Sequence, residues 1–500
     1  MKRIIDRIAA HAAATPDAVA VADERVVLDY RHLQAEVDKL IVGLNGSRRV
    51  GLLADNGCHW AVADLAIATR GAVSCPLPGF FTDAQLAHLV RDADLDLIVT
   101  DSPARLQRAL GTSAMQRLDV AGRTLWLLRR APVGDTDIPA GTAKVTYTSG
   151  TTGWPKGVCL DGSAIARTTV QLCEAAGATA TDRALSLLPL STLLQNIGGL
   201  YAPLYAGARA ELPRLATCGV SGSSELQIER FARAIAHHRP STLILVPELL
   251  KALTAAVASG ACAADGLRFI AVGGAPASAT LIEQARQRGL PVYQGYGLSE
   301  AVSVVAMEMP GARRPGSVGR PLPHQGVRIA ADGEVLVSAP GFLGYLGYLG
   351  ERGARRWPWP TGDLGRLDTD GFLYIEGRKH SAYATAFGRN LSPEWVEGEL
   401  TARRAISQAA VFGAGRPFNA AVIVPGKLAS PNAISAAIEA VNARLPDYAR
   451  VGRWILARQP FSQRNGLAGP SGAMQRTAVL AHYRDAIEGL YDGALRHVAV

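Results

Sequence analysis

The chain of 500 residues carries 52 basic and 43 acidic side chains, a formal net charge of +9, with 48% hydrophobic and 19% charged residues. That length exceeds one ordinary domain, and the composition is globular, far from the disordered regime. The basic residues fall in scattered pairs with no run of five or six, which argues against a nucleic-acid-binding stripe and leaves small anionic ligands compatible. The opening MKRIIDRIAAHAAATPDAVAV is interrupted by Asp6 and Arg7, while Ile4, Ile5 and Ile8 share a helical face. It predicts an amphipathic helix ended near Pro16 rather than a signal peptide. RHLQAEVDKLIVGL then predicts a helix, RRVGLLAD a short buried strand, HWAVADLAIATRGA a helix, and LAHLVRDADLDLIVTD a helix running into a strand. Such alternation predicts an α/β fold with parallel-rich sheets covered by helices, and it resumes from RALSLLPL through TLIEQARQRGLPVYQGYG.

From about residue 316 the texture changes. GVRIAADGEVLVSAP and GRLDTDGFLYIEGR read as hairpins with DG turns, separated by a Pro- and Trp-bearing loop, RRWPWPTGD. A small β-rich subdomain is expected there, and a compact α+β unit from about His380. The expected division is therefore 1–379 and 380–500. The six cysteines show no CxxC pair, so reduced thiols in a cytoplasmic protein are expected, without a zinc site or disulfide framework. No uncharged apolar run of about eighteen residues predicts a membrane span.

The segment VTYTSGTTGWPKGVCL (145–160) sets a hydroxyl- and glycine-rich loop directly after a predicted strand. Thr148, Ser149, Gly150, Thr151, Thr152 and Gly153 offer backbone N–H groups and four hydroxyls that can curl around a tetrahedral anion, and Lys156 adds a positive charge at the lip. This is a phosphate cradle by composition, although it is not GxxxxGK[ST]; a solvated Ser/Thr loop is the plainer reading of the segment alone. VGGAP (272–276) ends a predicted strand with a glycine pair that would let a flat ring approach. YQGYGLSE (293–300) presents an aromatic, a hydroxyl and a carboxylate together, chemistry suited to a base, a phosphate oxygen and Mg²⁺. Asp363 and Arg378 are expected on β-rich turns, where a carboxylate and a guanidinium suit ribose hydroxyls or phosphate. Each is weak alone; the four in this order are specific.

On these motifs the chain resembles the adenylate-forming superfamily of acyl- and aryl-CoA synthetases, nonribosomal peptide adenylation domains and beetle luciferases, nearly end to end. GRKHSAYATAFGRNLSPEWVE (377–397) and the tail NGLAGPSGAMQR (465–476) most resemble bacterial long-chain acyl-CoA synthetases. The resemblance implies that a carboxylate attacks the ATP α-phosphorus to give acyl-AMP, and that a thiol, usually CoA, then displaces AMP. It implies that Thr148 to Gly153 with Lys156 guide the β- and γ-phosphates, and that Gly274, Ala275, Gly295, Gly297 and Leu298 line the adenine and acyl pocket. Tyr296 would stack on the base, Ser299 contact the α-phosphate, Glu300 ligate Mg²⁺, and Asp363 and Arg378 hold the ribose. His380 marks the hinge about which the C-terminal unit would swing, standing where Asp or Lys is usual. Gly388 and Arg389 would meet CoA in the second orientation.

Two departures stand out. The family's tail lysine, which bridges carboxylate and α-phosphate, matches Ala473. Three explanations stay open: a Lys-to-Ala variant in an otherwise intact site, another cation such as Arg476 in that role, or a register offset by a residue or two. Impaired adenylation with an intact thioester step is the expectation. Second, Ser191 and Thr192 follow the PL pair of LPLSTLLQNIGGLYAPLYAGA where many relatives carry an aromatic or His; the apolar segment suits a hydrophobic acyl chain. The expected activity is ATP-dependent acid–CoA ligation. The alternatives are loading of a carrier-protein phosphopantetheine or an amine, or a non-catalytic nucleotide- or acyl-binding protein. No GxSxG or HExxH supports a hydrolase.

Overall fold

The computed structural model describes residues 1–111, 114–131, 134, 136–148, 155–221, 225–338, 341–347, 358–379, 381, 383–384, 390–470, 472–491 and 497–499. The opening helix is Lys2–Ala14, with Ile4 and Ile8 buried, as the periodicity predicts. Two large sheets follow. One has nine strands among the described residues, and its centre is parallel: Val19–Ala22, Arg209–Glu211, Arg183–Leu185, Thr242–Leu245, Phe269–Val272 and Val292–Tyr296 lie side by side. Antiparallel strands close both of its edges. The other, of eight strands, has a parallel centre of Val73–Pro76, Arg49–Leu53 and Leu97–Thr100. Antiparallel pairs flank it, including the hairpin Thr142–Thr148/Lys156–Asp161. Parallel-rich sheets covered by helices are therefore present, with more antiparallel edge than the alternation suggested.

The helix Cys58–Arg70 explains how the sheets become one body. Its sequence is apolar all round, its residues from Cys58 to Ile67 are all buried, and it touches strands of both sheets. Gly71 ends it in the left-handed conformation, φ 74°. Asp64, on this buried helix, meets Lys144 of Thr142–Thr148 at 2.9 Å. Lys144 Nζ also donates to Asn196 Oδ1 at 2.6 Å and Tyr201 Oη at 2.9 Å; Ser74, Asn196 and Tyr201 donate to Asp64. Burial lowers the Lys144 ammonium. Burial pushes the Asp64 carboxyl up, but Lys144, Tyr201 and Asn196 outweigh it and leave it below the usual carboxylate range.

The β-rich subdomain is a four-stranded antiparallel sheet of Val327–Ile329, Glu334–Val337, Trp359–Leu367 and Leu373–Arg378, with turns at Gly333 and Gly371. Part of the expected loop RRWPWPTGD is instead strand: Trp359–Leu367 pairs on both sides. Pro360 sits in that ladder opposite Leu336, next to a register shift, which is where a residue without an N–H can be accommodated. The six cysteines are all free and buried. No described helix is long and apolar enough to cross a membrane. The His237-His238 pair ends the helix Ile228–His238, and His238 Nδ1 lies 3.2 Å from Glu211.

The C-terminal unit is a four-stranded sheet, Ile406–Phe412, Asn419–Pro425, Val451–Leu456 and His497–Ala499, packed with helices that include Pro393–Thr401 and Pro431–Asn442. It touches the larger unit through Pro393–Thr401 and through Arg444: Thr280 Oγ1 donates to Glu399 at 2.5 Å, Arg444 donates to Thr280 at 3.0 Å, and Lys251 donates to the Thr401 carbonyl. At its centre Glu397 is held by both oxygens on Arg476 at 2.7 Å and accepts the Val411 N–H at 2.6 Å. Burial nonetheless pushes Glu397 up from 4.5 to about 7, Arg476 opposing. A carboxyl that binds its proton more tightly folded than unfolded stabilises most at low pH, and its contribution is lost as pH rises from about 4.5 through about 7. Thermal melts of the full chain at pH 5 and pH 7.5 are expected to show a loss of stability that Glu397→Gln reduces; identical pH dependence in both proteins would refute the assignment.

Candidate active site

The strand Thr142–Thr148 turns back into Lys156–Asp161, and Thr148 stands directly opposite Lys156 at the base of the loop between them. Ser149, Gly150, Thr151, Thr152 and Gly153 lie outside the described residues, as do His380, Gly388 and Arg389. Lys156 Nζ sits 5.9 Å above the ring of Tyr345, whose hydroxyl donates to Glu300 Oε1 at 2.7 Å. The cradle's base, Lys156 and Glu300 are thus gathered around one aromatic residue. Burial, with Glu300 beside it, pushes the Tyr345 hydroxyl well above its ordinary value, so it stays a donor to the carboxylate. Tyr345 packs edge-on against Phe342, which in turn packs against Trp359, fixing the ring.

Asp363 and Arg378 are not on turns. They are direct cross-strand partners in Trp359–Leu367 and Leu373–Arg378, with Arg378 Nε 2.9 Å from Asp363 Oδ1. The other carboxylate oxygen, Oδ2, accepts the hydroxyl of Tyr296 at 2.6 Å. Burial raises the Asp363 carboxyl, while Arg378 and Tyr296 oppose it; burial and Asp363 keep the Tyr296 phenol protonated. Tyr296 ends the strand Val292–Tyr296, so three residues far apart in sequence form one polar clamp.

The backbone around this clamp is tightly constrained. A Cβ on Gly297 would lie 1.6 Å from the Ser303 carbonyl oxygen, so only glycine fits. Val302 and Ser303 have φ of 59° and 82°, a region that a β-branched residue rarely enters and that costs about 1–3 kcal/mol per residue. Ser299 and Glu300 lie in the single turn Ser299–Ala301 between them, where Leu298 packs on the β-rich subdomain's core. Gly274, at φ 78°, and Ala275 follow the strand Phe269–Val272 and are exposed, and a Cβ on neighbouring Gly273 would lie 3.1 Å from the Gly295 carbonyl. The two glycine-bearing strand ends, 273–274 and 295–297, are therefore adjacent, leaving an open backbone ledge beside the clamp.

Ala473 is elsewhere. It is exposed in a turn of the C-terminal unit, its carbonyl accepting the Gly469 N–H at 2.8 Å. Among the described residues, no hydrogen bond, ion pair or ring contact ties it to the clamp. In this arrangement Arg476 donates to both oxygens of Glu397 and to the Val411 carbonyl.

A cavity of about 90 Å³ opens in the large unit, walled mainly by apolar residues including Leu185, Leu194, Ile244, Phe269 and Met307. Leu194 links it to the ledge: its Cδ2 lies 3.8 Å from where a Gly274 Cβ would be. One wall is a π-helical turn, Asn196–Tyr201, in which Gly198 and Gly199 present bare backbone. Sequence reading assigned the segment LPLSTLLQNIGGLYAPLYAGA to the acyl chain but missed Tyr345 and the π-helical form of this wall. Tyr345 lies in the repetitive FLGYLGYLG, which carries no local signal for a site residue.

The residues fit a nucleotide. A buried carboxylate with a guanidinium and a phenol, beside a glycine ledge, suits a ribose and a flat base. Glu300 can bind a divalent cation through one oxygen together with substrate phosphates, the usual mode for Mg²⁺. Among the described residues, no group of three or more His, Cys, Asp or Glu could hold a metal alone.

Comparison with known proteins agrees. The AMP-binding enzyme family matches residues 8–349, and the AMP-binding enzyme C-terminal domain matches 383–495. Long-chain-fatty-acid–CoA ligase FadD15 of Mycobacterium tuberculosis is 27% identical, over 92% of this chain and 90% of that protein. Indoleacetate–CoA ligase of Aromatoleum aromaticum is 28% identical, over 82% and 84%. Among solved structures, the anthranilate CoA ligase AuaEII in complex with anthranoyl-AMP has a TM-score of 0.79 at 20% identity, covering 98% of both chains. That structural likeness matches the α/β architecture of a large mixed-sheet domain and a smaller C-terminal domain. The chain belongs to the AMP-binding enzyme family.

Proposed function

We propose that the protein is an AMP-forming acid–thiol ligase that activates a hydrophobic carboxylic acid as acyl-AMP and transfers the acyl group to CoA. The observation that carries this is the Tyr296–Asp363–Arg378 clamp beside a glycine ledge whose next neighbour, Leu194, walls an apolar cavity. A nucleotide ribose at the clamp and an acyl body in the cavity would bring a carboxylate and an α-phosphate together near Glu300. Thr148 and Lys156, with the loop Ser149–Gly153, are assigned to the β- and γ-phosphates, and Ser299 to the α-phosphate. Mg²⁺ bound with Glu300 would neutralise charge developing on the phosphates, and the protein's part is positioning and fixed electrostatics rather than a nucleophile. The relatives named for fatty-acid and indoleacetate ligation support a hydrophobic acid.

The C-terminal unit, from about residue 380, is assigned the second half-reaction. His380 would be the pivot, and Gly388 and Arg389 would approach the pantetheine. Mass spectrometry of acyl-AMP and acyl-CoA from a panel of fatty and aryl acids with ATP, Mg²⁺ and CoA tests the proposal. The expected result is acid-dependent acyl-AMP whose consumption CoA accelerates. Acceleration only by a carrier-protein phosphopantetheine or an amine would change the acceptor. ATP binding with no turnover, even after Ala473→Lys, would make the protein a binding module.

A further inference from the structure

We infer that Gln195 sets the specificity of the acid cavity, selecting a substrate whose hydrophobic body carries a hydrogen-bond donor, a hydroxyl or an amine. This rests on the ligase reading and deepens it. Gln195 is completely buried, ends the short helix Leu193–Gln195, and lines the cavity. Its Nε2 donates to Ser186 Oγ at 2.9 Å, while its Oε1 is buried without a partner. A buried carbonyl oxygen left unsatisfied is unfavourable, and native structures rarely keep one unless a water or ligand supplies the donor. The two charged residues of the lining, Asp182 and Arg268, are committed to each other through a 2.6 Å contact.

The position of Gln195 is built in. A Cβ on Gly199 would fall 1.7 Å from Gln195 Nε2 and 3.4 Å from Ser186 Oγ, so the amide rests on the bare backbone of the π-helical turn. Gly198 is equally tight against Ile244, at 2.5 Å, which anchors that turn on the neighbouring strand Thr242–Leu245. The result is a fixed amide in a mainly apolar wall whose charged members, Asp182 and Arg268, are paired with each other. A site of this kind discriminates strongly, because an acid lacking the donor leaves the acceptor unpaired.

Binding of non-hydrolysable acyl-sulfamoyladenosines tests this without requiring turnover. The series carries hydroxyl, amino, methoxy or methyl groups at successive positions along an aryl ring or an alkyl chain, and affinities are measured by calorimetry. The native protein is expected to show a position at which hydroxyl and amino compounds bind at least about tenfold more tightly than their methyl counterparts. Gln195→Met is expected to erase that preference while still binding the methyl compound. Gly199→Ala, which displaces the amide without removing it, is expected to do the same. Equal binding of hydroxyl, amino and methyl compounds by the native protein overturns the inference and leaves the ligase reading intact. A preference for methoxy over hydroxyl, or a preference that survives both substitutions, also overturns it. Failure of every compound to bind would overturn the ligase reading, and this inference with it.

Discussion

Ala473→Lys is expected to raise acid-dependent pyrophosphate release by ~10²–10³-fold, the effect of restoring one preorganised charge at a developing oxyanion. The thioester step, measured by mixing supplied acyl-AMP with CoA, is expected to be unchanged, because a cation that bridges carboxylate and α-phosphate has no role once AMP is the leaving group. The surroundings of position 473 favour this outcome. The residue is exposed in a turn closed by its own carbonyl on Gly469, so a lysine there displaces nothing. Arg476, three residues on, is held by both oxygens of Glu397 and by the Val411 carbonyl, and could reach a phosphate only by leaving Glu397 buried without its counter-charge. Equal pyrophosphate rates with alanine and lysine would mean that another group performs the bridging. A parallel rise in the thioester step would place residue 473 outside the role assigned to it.

How much of this was legible in the sequence depends on the range over which each feature is encoded. The amphipathic Lys2–Ala14 and the DG turns at Gly333 and Gly371 are local, set by periodicity and by residues that tolerate positive φ, and sequence reading finds them. The strand Trp359–Leu367 is not local in that sense. Its proline and two glycines spell a loop, and only the flanking strands Glu334–Val337 and Leu373–Arg378 turn it into a ladder, carrying Asp363 from an expected turn to a position opposite Arg378. The motifs identified Glu300 and Lys156 but not Tyr345, which joins them from an otherwise unremarkable aromatic repeat. Gln195 and the π-helical turn were invisible for a related reason. An insertion-like π turn leaves the apolar pattern of its helix nearly intact, and an unpaired amide can be recognised only once its neighbours are in place.

Lys144 is the clearest residue that no local pattern could flag, and its removal is expected to be the most damaging single change in the core. Lys144→Met is expected to cost about 3–5 kcal/mol in urea unfolding, because it leaves the Asp64 carboxylate buried without a counter-charge. The three donors that remain to Asp64, from Ser74, Asn196 and Tyr201, supply hydrogen bonds but no positive charge. Lys144→Met with Asp64→Leu is expected to recover only part of the loss. That pair removes the unpaired charge but strands the Asn196 amide and the Tyr201 hydroxyl, each of which bonds to both Lys144 and Asp64. A single-variant loss below about 1 kcal/mol would mean that Asp64 takes up a proton cheaply or that water enters, and the network would not be a keystone. The consequence also reaches the acid site. Asn196 and Tyr201 are the first and last residues of the π-helical turn whose glycines wall the cavity and support Gln195. Loosening their anchor on the opposite sheet is therefore expected to raise KM for the acid in the variant more than KM for ATP, whose clamp of Tyr296, Asp363 and Arg378 is built from other strands.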